Sequence, residues 1–241
     1  MINYAIVIIC LVFVSCASAP NNLRDVETIA DVSESRSREI LTCENAEEYL
    51  NRYSIDFKIP NPFVGDSVIS SRRVDPSHEA TIYCRATLLD EVSTEADIII
   101  GCEKDSLDEA SCEKFRKTYI EKNVREGMFR IRILMVSGFS PKSMDPDHWA
   151  IYIEDARGIM IEPKEIKTYE VSASQDTIYS KYYGIFLPRN LLRRDINLYF
   201  QRRTFFGEDL LGEENPHIVF VMSHEKKTVA RVAWNIHEKK R

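Results

Sequence analysis

The stretch Met128–Val136, MFRIRILMV, decides the fold. Phe129, Ile131, Ile133 and Met135 alternate with Arg130, Arg132, Leu134 and Val136, so one face is uniformly apolar and the other carries two arginines. Side chains on a strand point to opposite faces with a period of two, and this pattern predicts a strand with one face in a core. Downstream, His148–Glu154 (HWAIYIE) places Trp149, Ile151 and Ile153 on one face. Asp155-Ala156-Arg157-Gly158 is hairpin-turn chemistry, and Ile159–Ile161 returns. Further strand-like runs are Tyr182–Leu187, Ile196–Gln201, His217–Met222 and Val229–Ile236, the last two joined by the polar turn Ser223–Lys227. Short strands this closely spaced, with little helix between them, predict a mostly β, antiparallel, immunoglobulin-like β-sandwich over residues 127–241. A β-barrel, or one mixed sheet packed by a helix, also fits the pattern.

Upstream of Met128 the texture is mixed, and residues 40–126 read as a smaller α+β region with one longer helix. Leu107, Cys112, Phe115 and Tyr119 recur at helical spacing, which predicts a helix over Leu107–Asn123. Ser106 with Glu109 forms the capping pattern at its start, and Glu126-Gly127 stops it. Asn45 with Glu48 predicts a short helix over Ala46–Tyr53. Ile55–Ile59 reads as a strand ended by Pro60-Asn61-Pro62, with another short strand at Val64–Ser70 and a turn at Arg72–Pro76.

Six cysteines are present. Thr81–Leu88 and Ala96–Cys102 look like strands around the polar segment Asp90–Glu95. A hairpin centred on Ser93 sets Cys84 opposite Cys102, close enough for a disulfide, and leaves Cys43 for Cys112. The alternative is four buried free thiols.

The N-terminus indicates where the chain goes. Ala5–Val14 is an unbroken run of ten apolar residues, followed by Ser15, Cys16, Ala17, Ser18 and Ala19. That run is far below the ~20 residues that cross a bilayer, and residues 1–15 therefore read as a signal peptide. Residues 16–39 are polar with scattered charge and read as a tether. Phe13-Val14-Ser15-Cys16 resembles a bacterial lipobox. The resemblance implies cleavage before Cys16 and lipidation of its thiol and new amino group. The run HWAIYIEDARGIMIEP with the final strand ARVAWNI resembles the uncharacterised sandwich-domain lipoproteins of bacterial envelopes, a likeness that implies no activity.

Composition narrows the classes. Hydrophobic residues make up 44% and aromatics 10%, enough for a real core. A net charge of −6 gives no electrostatic footprint for nucleic acid. Three His-Glu pairs begin at His78, His224 and His237, but none has a second His four residues on, as a helical zinc site needs. No phosphate-binding glycine loop, nucleophile elbow or Cys-x-x-Cys motif occurs, and Ser140 with His148 is the nearest thing to a nucleophile and base. Asp145-Pro146-Asp147-His148 concentrates possible ligands, but turn capping explains it equally well. No catalytic residue, metal site or cofactor is expected.

Arginines at 189, 193, 194, 202 and 203 surround Leu198-Tyr199-Phe200, and strand alternation with neighbouring acids accounts for them. Phe205, Phe206, Leu210 and Leu211 fall in an expected loop, where an exposed apolar group marks a docking surface. The expectation is a lipid-anchored envelope protein that binds or assembles, held to a membrane through Cys16 and meeting a protein partner. An exported hydrolase with a site assembled from distant residues, or a secreted soluble binding protein, are the alternatives.

Overall fold

The computed structural model describes residues 23, 25–33, 40–63, 81–137, 141–173 and 192–237. Eleven strands are present among them: β1 (Thr28–Asp31), β2 (Ser54–Pro60), β3 (Thr81–Leu89), β4 (Met128–Ser137), β5 (Ala150–Glu154), β6 (Met160–Ile161), β7 (Glu165–Thr168), β8 (Ser172–Ala173), β9 (Leu192–Gln201), β10 (His217–His224) and β11 (Lys227–Asn235). Three helices join them: α1 (Ala46–Arg52), α2 (Glu91–Lys104) and α3 (Glu109–Asn123).

The strands form two sheets. The first runs β1-β11-β10-β5-β6, and the second runs β2-β3-β4-β9-β7 with β8 also on β9. β4 is the central strand of the second sheet, paired antiparallel to β3 and β9. Its alternation holds: Phe129, Ile131, Ile133 and Met135 are buried in the core, joined there by Ile55, Phe57 and Ile59 of β2 and by Ile196, Leu198 and Phe200 of β9. Ile151 and Ile153 of β5, Ile218, Phe220 and Met222 of β10, and Val232 and Trp234 of β11 belong to the same core. The rings of Phe57 and Phe220 meet across it at 6.2 Å, and Trp234 Nε1 donates to the Tyr53 carbonyl at 2.9 Å. The chain is therefore mostly β, with two sheets facing each other over one apolar layer.

Strand pairing is antiparallel except at β1, which lies parallel to β11 (Thr28 opposite Val232, Asp31 opposite Asn235). That strand falls inside residues 16–39, so part of the expected tether is built into the fold. Leu23 and Val26 pack on the outer side of the same sheet, against Val219, Val221 and Ala233. The sandwich also takes β2 and β3 from the expected α+β region, and β3 pairs with β4. One sheet thus spans the boundary expected at residue 127.

The expected hairpin between residues 81 and 102 is corrected: only its first arm is a strand. Asp90 caps α2, its Oδ1 accepting from the Val92 and Ser93 amides and the Ser93 hydroxyl, while Ser93 Oγ accepts from the Asp90 amide. This reciprocal box starts a helix where a turn was expected. Cys102 consequently lies on a helix and bonds Cys112 on α3, with Cα atoms 5.3 Å apart. Cys84 faces the core beside Phe57 and Met135 and is free, and Cys43 is free and exposed. The two helices approach closely because residue 101 is Gly; a Cβ there would stand 2.7 Å from Phe115 Cζ.

Smaller shifts follow from local hydrogen bonding. α3 starts at Glu109 because Asp108 rather than Ser106 caps it, accepting from the Ser111 amide at 2.8 Å. Asn45 precedes α1 but binds backward, its Oδ1 accepting from the Thr42 amide and its Nδ2 donating to the Ile40 carbonyl. The expected features at Val64–Ser70, Arg72–Pro76 and Tyr182–Leu187 lie outside the described residues, as do Cys16, His78, Ser140 and Arg189. Among the described residues, no helix is long and apolar enough to cross a membrane.

Candidate functional site: an apolar turn beside a groove

β9 ends at Gln201, and the chain then doubles back. The backbones of Arg203 and Asp209 pair as an isolated antiparallel β-bridge, the Thr204 amide donates to the Glu208 carbonyl at 2.9 Å, and the Gly207 amide donates to the Thr204 carbonyl at 2.9 Å. Gly207 has φ +83°, a left-handed conformation that glycine adopts without a Cβ clash. Phe205 and Phe206 take the two central positions of this turn, which normally favour small or polar residues. Phe205 is 99% exposed and Phe206 73%, with their rings 5.6 Å apart, edge to face.

Leu210 and Leu211 do not share that exposure. Both are in the core, at 1% and 2% exposed, which corrects their expected place on a docking surface. The loop folds inward after Asp209: the Leu210 amide donates to the Arg202 carbonyl at 2.8 Å, and Asn215 Nδ2 donates to the Leu210 carbonyl at 2.7 Å. The leucines thus root the loop while the phenylalanines project from it.

A groove of about 480 Å³ lies beside the projecting turn. It is lined by Ile159, Met160 and Ile161 from the β5–β6 connection and by Arg203, Phe205, Phe206 and Leu210 from the loop after β9. Met160 is itself 60% exposed. Glu162, Lys164 and Arg203 also line the groove, and their side chains have no hydrogen-bond or ion-pair partner among the described residues. A site of this chemistry takes apolar groups in its walls and carries both signs of charge on its rim.

The remaining arginines of this region are engaged. Arg157 binds Asp155 and Glu208, Arg202 binds Asp209 and Glu91, and Arg193 binds Asp195. Of the five arginines singled out in the sequence, Arg193, Arg194 and Arg202 pair with acids, Arg203 does not among the described residues, and Arg189 lies outside them.

A second cavity, about 210 Å³, lies where α2 and α3 cover the outer face of the second sheet. Beside it is a polar cluster that alternation on β4 signalled only as two outward arginines. Arg132 Nη1 lies 2.8 Å from Asp97 Oδ2, Tyr119 donates to Asp97, and Arg130 Nη2 donates to the Tyr119 hydroxyl at 2.5 Å. Burial first, and the Asp97 carboxylate second, push the Tyr119 phenol up to about 12. Arg125 stacks over the Tyr199 ring at 4.8 Å and forks onto Glu165 at 3.0 Å, and that hydrogen bond lowers the Glu165 carboxyl. These contacts fasten the helices to the sheet.

The other residues singled out in the sequence have structural places. Asp145 caps a short 3-10 turn by accepting from the Asp147 amide, and among the described residues no group of acids, histidines and cysteines is arranged to hold a metal. The His148 ring packs on Phe63 at 4.8 Å, and its carbonyl accepts from His224 Nδ1 at 2.9 Å. His237 Nε2 donates to the Leu211 carbonyl at 3.0 Å. Burial pushes the Cys84 thiol up, which makes it unreactive. No protein-family model, curated protein or solved structure matches this chain.

Proposed function

We propose that the protein is a lipid-anchored component of a bacterial envelope that works by docking another protein at the Phe205–Phe206 face. The observation that carries the docking claim is the pair of phenylalanines at a turn tip, 99% and 73% exposed beside an open groove. Covering one such side chain is worth roughly 1.5–3 kcal/mol, so leaving two in water is a standing liability unless something covers them. Of eleven large exposed hydrophobics among the described residues, Ile159, Met160, Phe205 and Phe206 line this one groove.

The lipobox-like Phe13–Cys16 supports the anchor.

Two measurements test the proposal separately. Metabolic palmitate labelling of wild type and Cys16→Ala is expected to show lipid only on the wild type; equal labelling, or none, removes the anchor. Phe205→Asp and Phe206→Asp are expected to release a co-purifying protein, and a complex indifferent to both variants removes the docking face.

A further inference from the structure

The docking face carries a projection and a recess side by side. Phe205 and Phe206 stand out from the turn, and the groove lined by Ile159, Met160 and Leu210 opens next to them. A two-fold interface needs both in one patch, because the same surface must fit itself. The unpartnered charges have the same property. Glu162, Lys164 and Arg203 are all exposed and line the same groove. A patch that carries an acid and bases side by side is self-complementary in charge, as a two-fold interface requires.

Resting on the docking proposal above, we infer that the occupant of the groove is the Phe205–Phe206 turn of a second copy of this chain. The patch is modest in size. Two aromatic side chains offer roughly 300–500 Å² per copy. Ile159 and Met160 extend that towards the ~800 Å² per partner of an ordinary stable interface. Tethering both copies to one membrane raises their effective concentration, so a pairing of this size suffices there.

The test uses two differently tagged full-length copies, co-expressed and extracted in mild detergent. Wild-type copies are expected to co-purify and to sediment as a pair. Phe206→Asp is expected to weaken pairing by at least about a hundredfold, as loss of a central aromatic does. Glu162→Lys and Lys164→Glu are each expected to weaken it about fivefold, the scale of a rim charge. Combined in one chain, the two changes recover part of the pairing, since the exchanged acid again meets the exchanged base while Arg203 stays positive. Tagged copies that never co-purify, or that pair regardless of Phe206→Asp, overturn the inference, and so does a double charge swap that fails to rescue. Loss of self-pairing alongside a Phe206-dependent complex with a different protein overturns this inference alone and leaves the docking proposal standing.

Discussion

Arg157 Nη2 lies 2.5 Å from Glu208 Oε2 and 2.8 Å from Asp155 Oδ2, so one guanidinium joins the β5–β6 turn to the loop that carries Phe205 and Phe206. The two walls of the groove are held together at this point. The two acids are not equivalent. Asp155 is 2% exposed and also accepts from the Arg157 and Ile159 amides, while the Glu208 side chain is 35% exposed.

This asymmetry predicts unequal costs. Arg157→Ala strips two donors from a buried carboxylate, whereas Glu208→Ala removes a partner that solvent replaces. Arg157→Ala is expected to lower the urea midpoint clearly more than Glu208→Ala. It should also speed proteolysis at Phe205 and Phe206, because the turn loses its tie to β6. Equal midpoints for the two variants contradict the role given to Asp155.

The bond between Cys102 and Cys112 closes a short loop between two helices. By loop-closure entropy such a cross-link contributes roughly 2–3 kcal/mol. Cys112→Ser is expected to lose about that much in denaturant titrations, again roughly 2–3 kcal/mol. Cys43→Ser is expected to change nothing, since that thiol is free and exposed. Sensitivity at Cys43 and indifference at Cys112 would reverse the assignment.

The legibility of this chain differs sharply between β4 and α2. Met128–Val136 was legible because a central strand with one face in the core repeats an apolar residue at every second position, while Arg130 and Arg132 mark the other face. Ile98-Ile99-Ile100 misled for a physical reason: β-branched residues favour strands, yet here Ile98 faces inward from a helix. The countersignal was Asp90 with Ser93, a capping pair that outweighs propensity over a single turn. β1 offers only four residues, and its pairing with β11 is two hundred residues distant in sequence, which no local pattern carries. Leu210 and Leu211 sit among acids and glycines like a surface loop, and only the return of the chain to Arg202 and Asn215 buries them. The exposed half of the candidate site, Phe205-Phe206, was legible because a tight turn leaves no inward direction for either ring.

Tyr119 gives the fold an alkaline limit. Its phenol is raised from 10.0 to about 12, chiefly by burial. Below pH 10 the phenol is neutral in both folded and unfolded chains, and its contribution is complete. As the pH climbs from about 10 to about 12 the unfolded chain ionises first, and stability falls by roughly 2–3 kcal/mol from this residue. In Tyr119→Phe that part of the alkaline slope is expected to vanish, although the variant starts lower for want of the bonds to Asp97 and Arg130. Parallel slopes for the two proteins between pH 10 and 12 would show that Tyr119 ionises as freely folded as unfolded.

The β10–β11 connection is a place where stability can be gained. His224 pairs with Lys227, which leaves a two-residue loop of Glu225 and Lys226, with φ +47° and +67°. Two successive left-handed residues suit the right-handed twist of the strands, but side chains with a Cβ adopt that conformation at a cost. Asn followed by Gly adopts it readily. Glu225→Asn with Lys226→Gly is therefore expected to stabilise the protein by about 1 kcal/mol. In a chain of this size that corresponds to a rise in Tm of about 2–4 °C. The gain should appear equally in the presence and absence of reductant, because the turn shares no contact with the disulfide. A melting temperature that stays level or falls would mean that the strands, rather than the loop residues, dictate the backbone at Glu225 and Lys226.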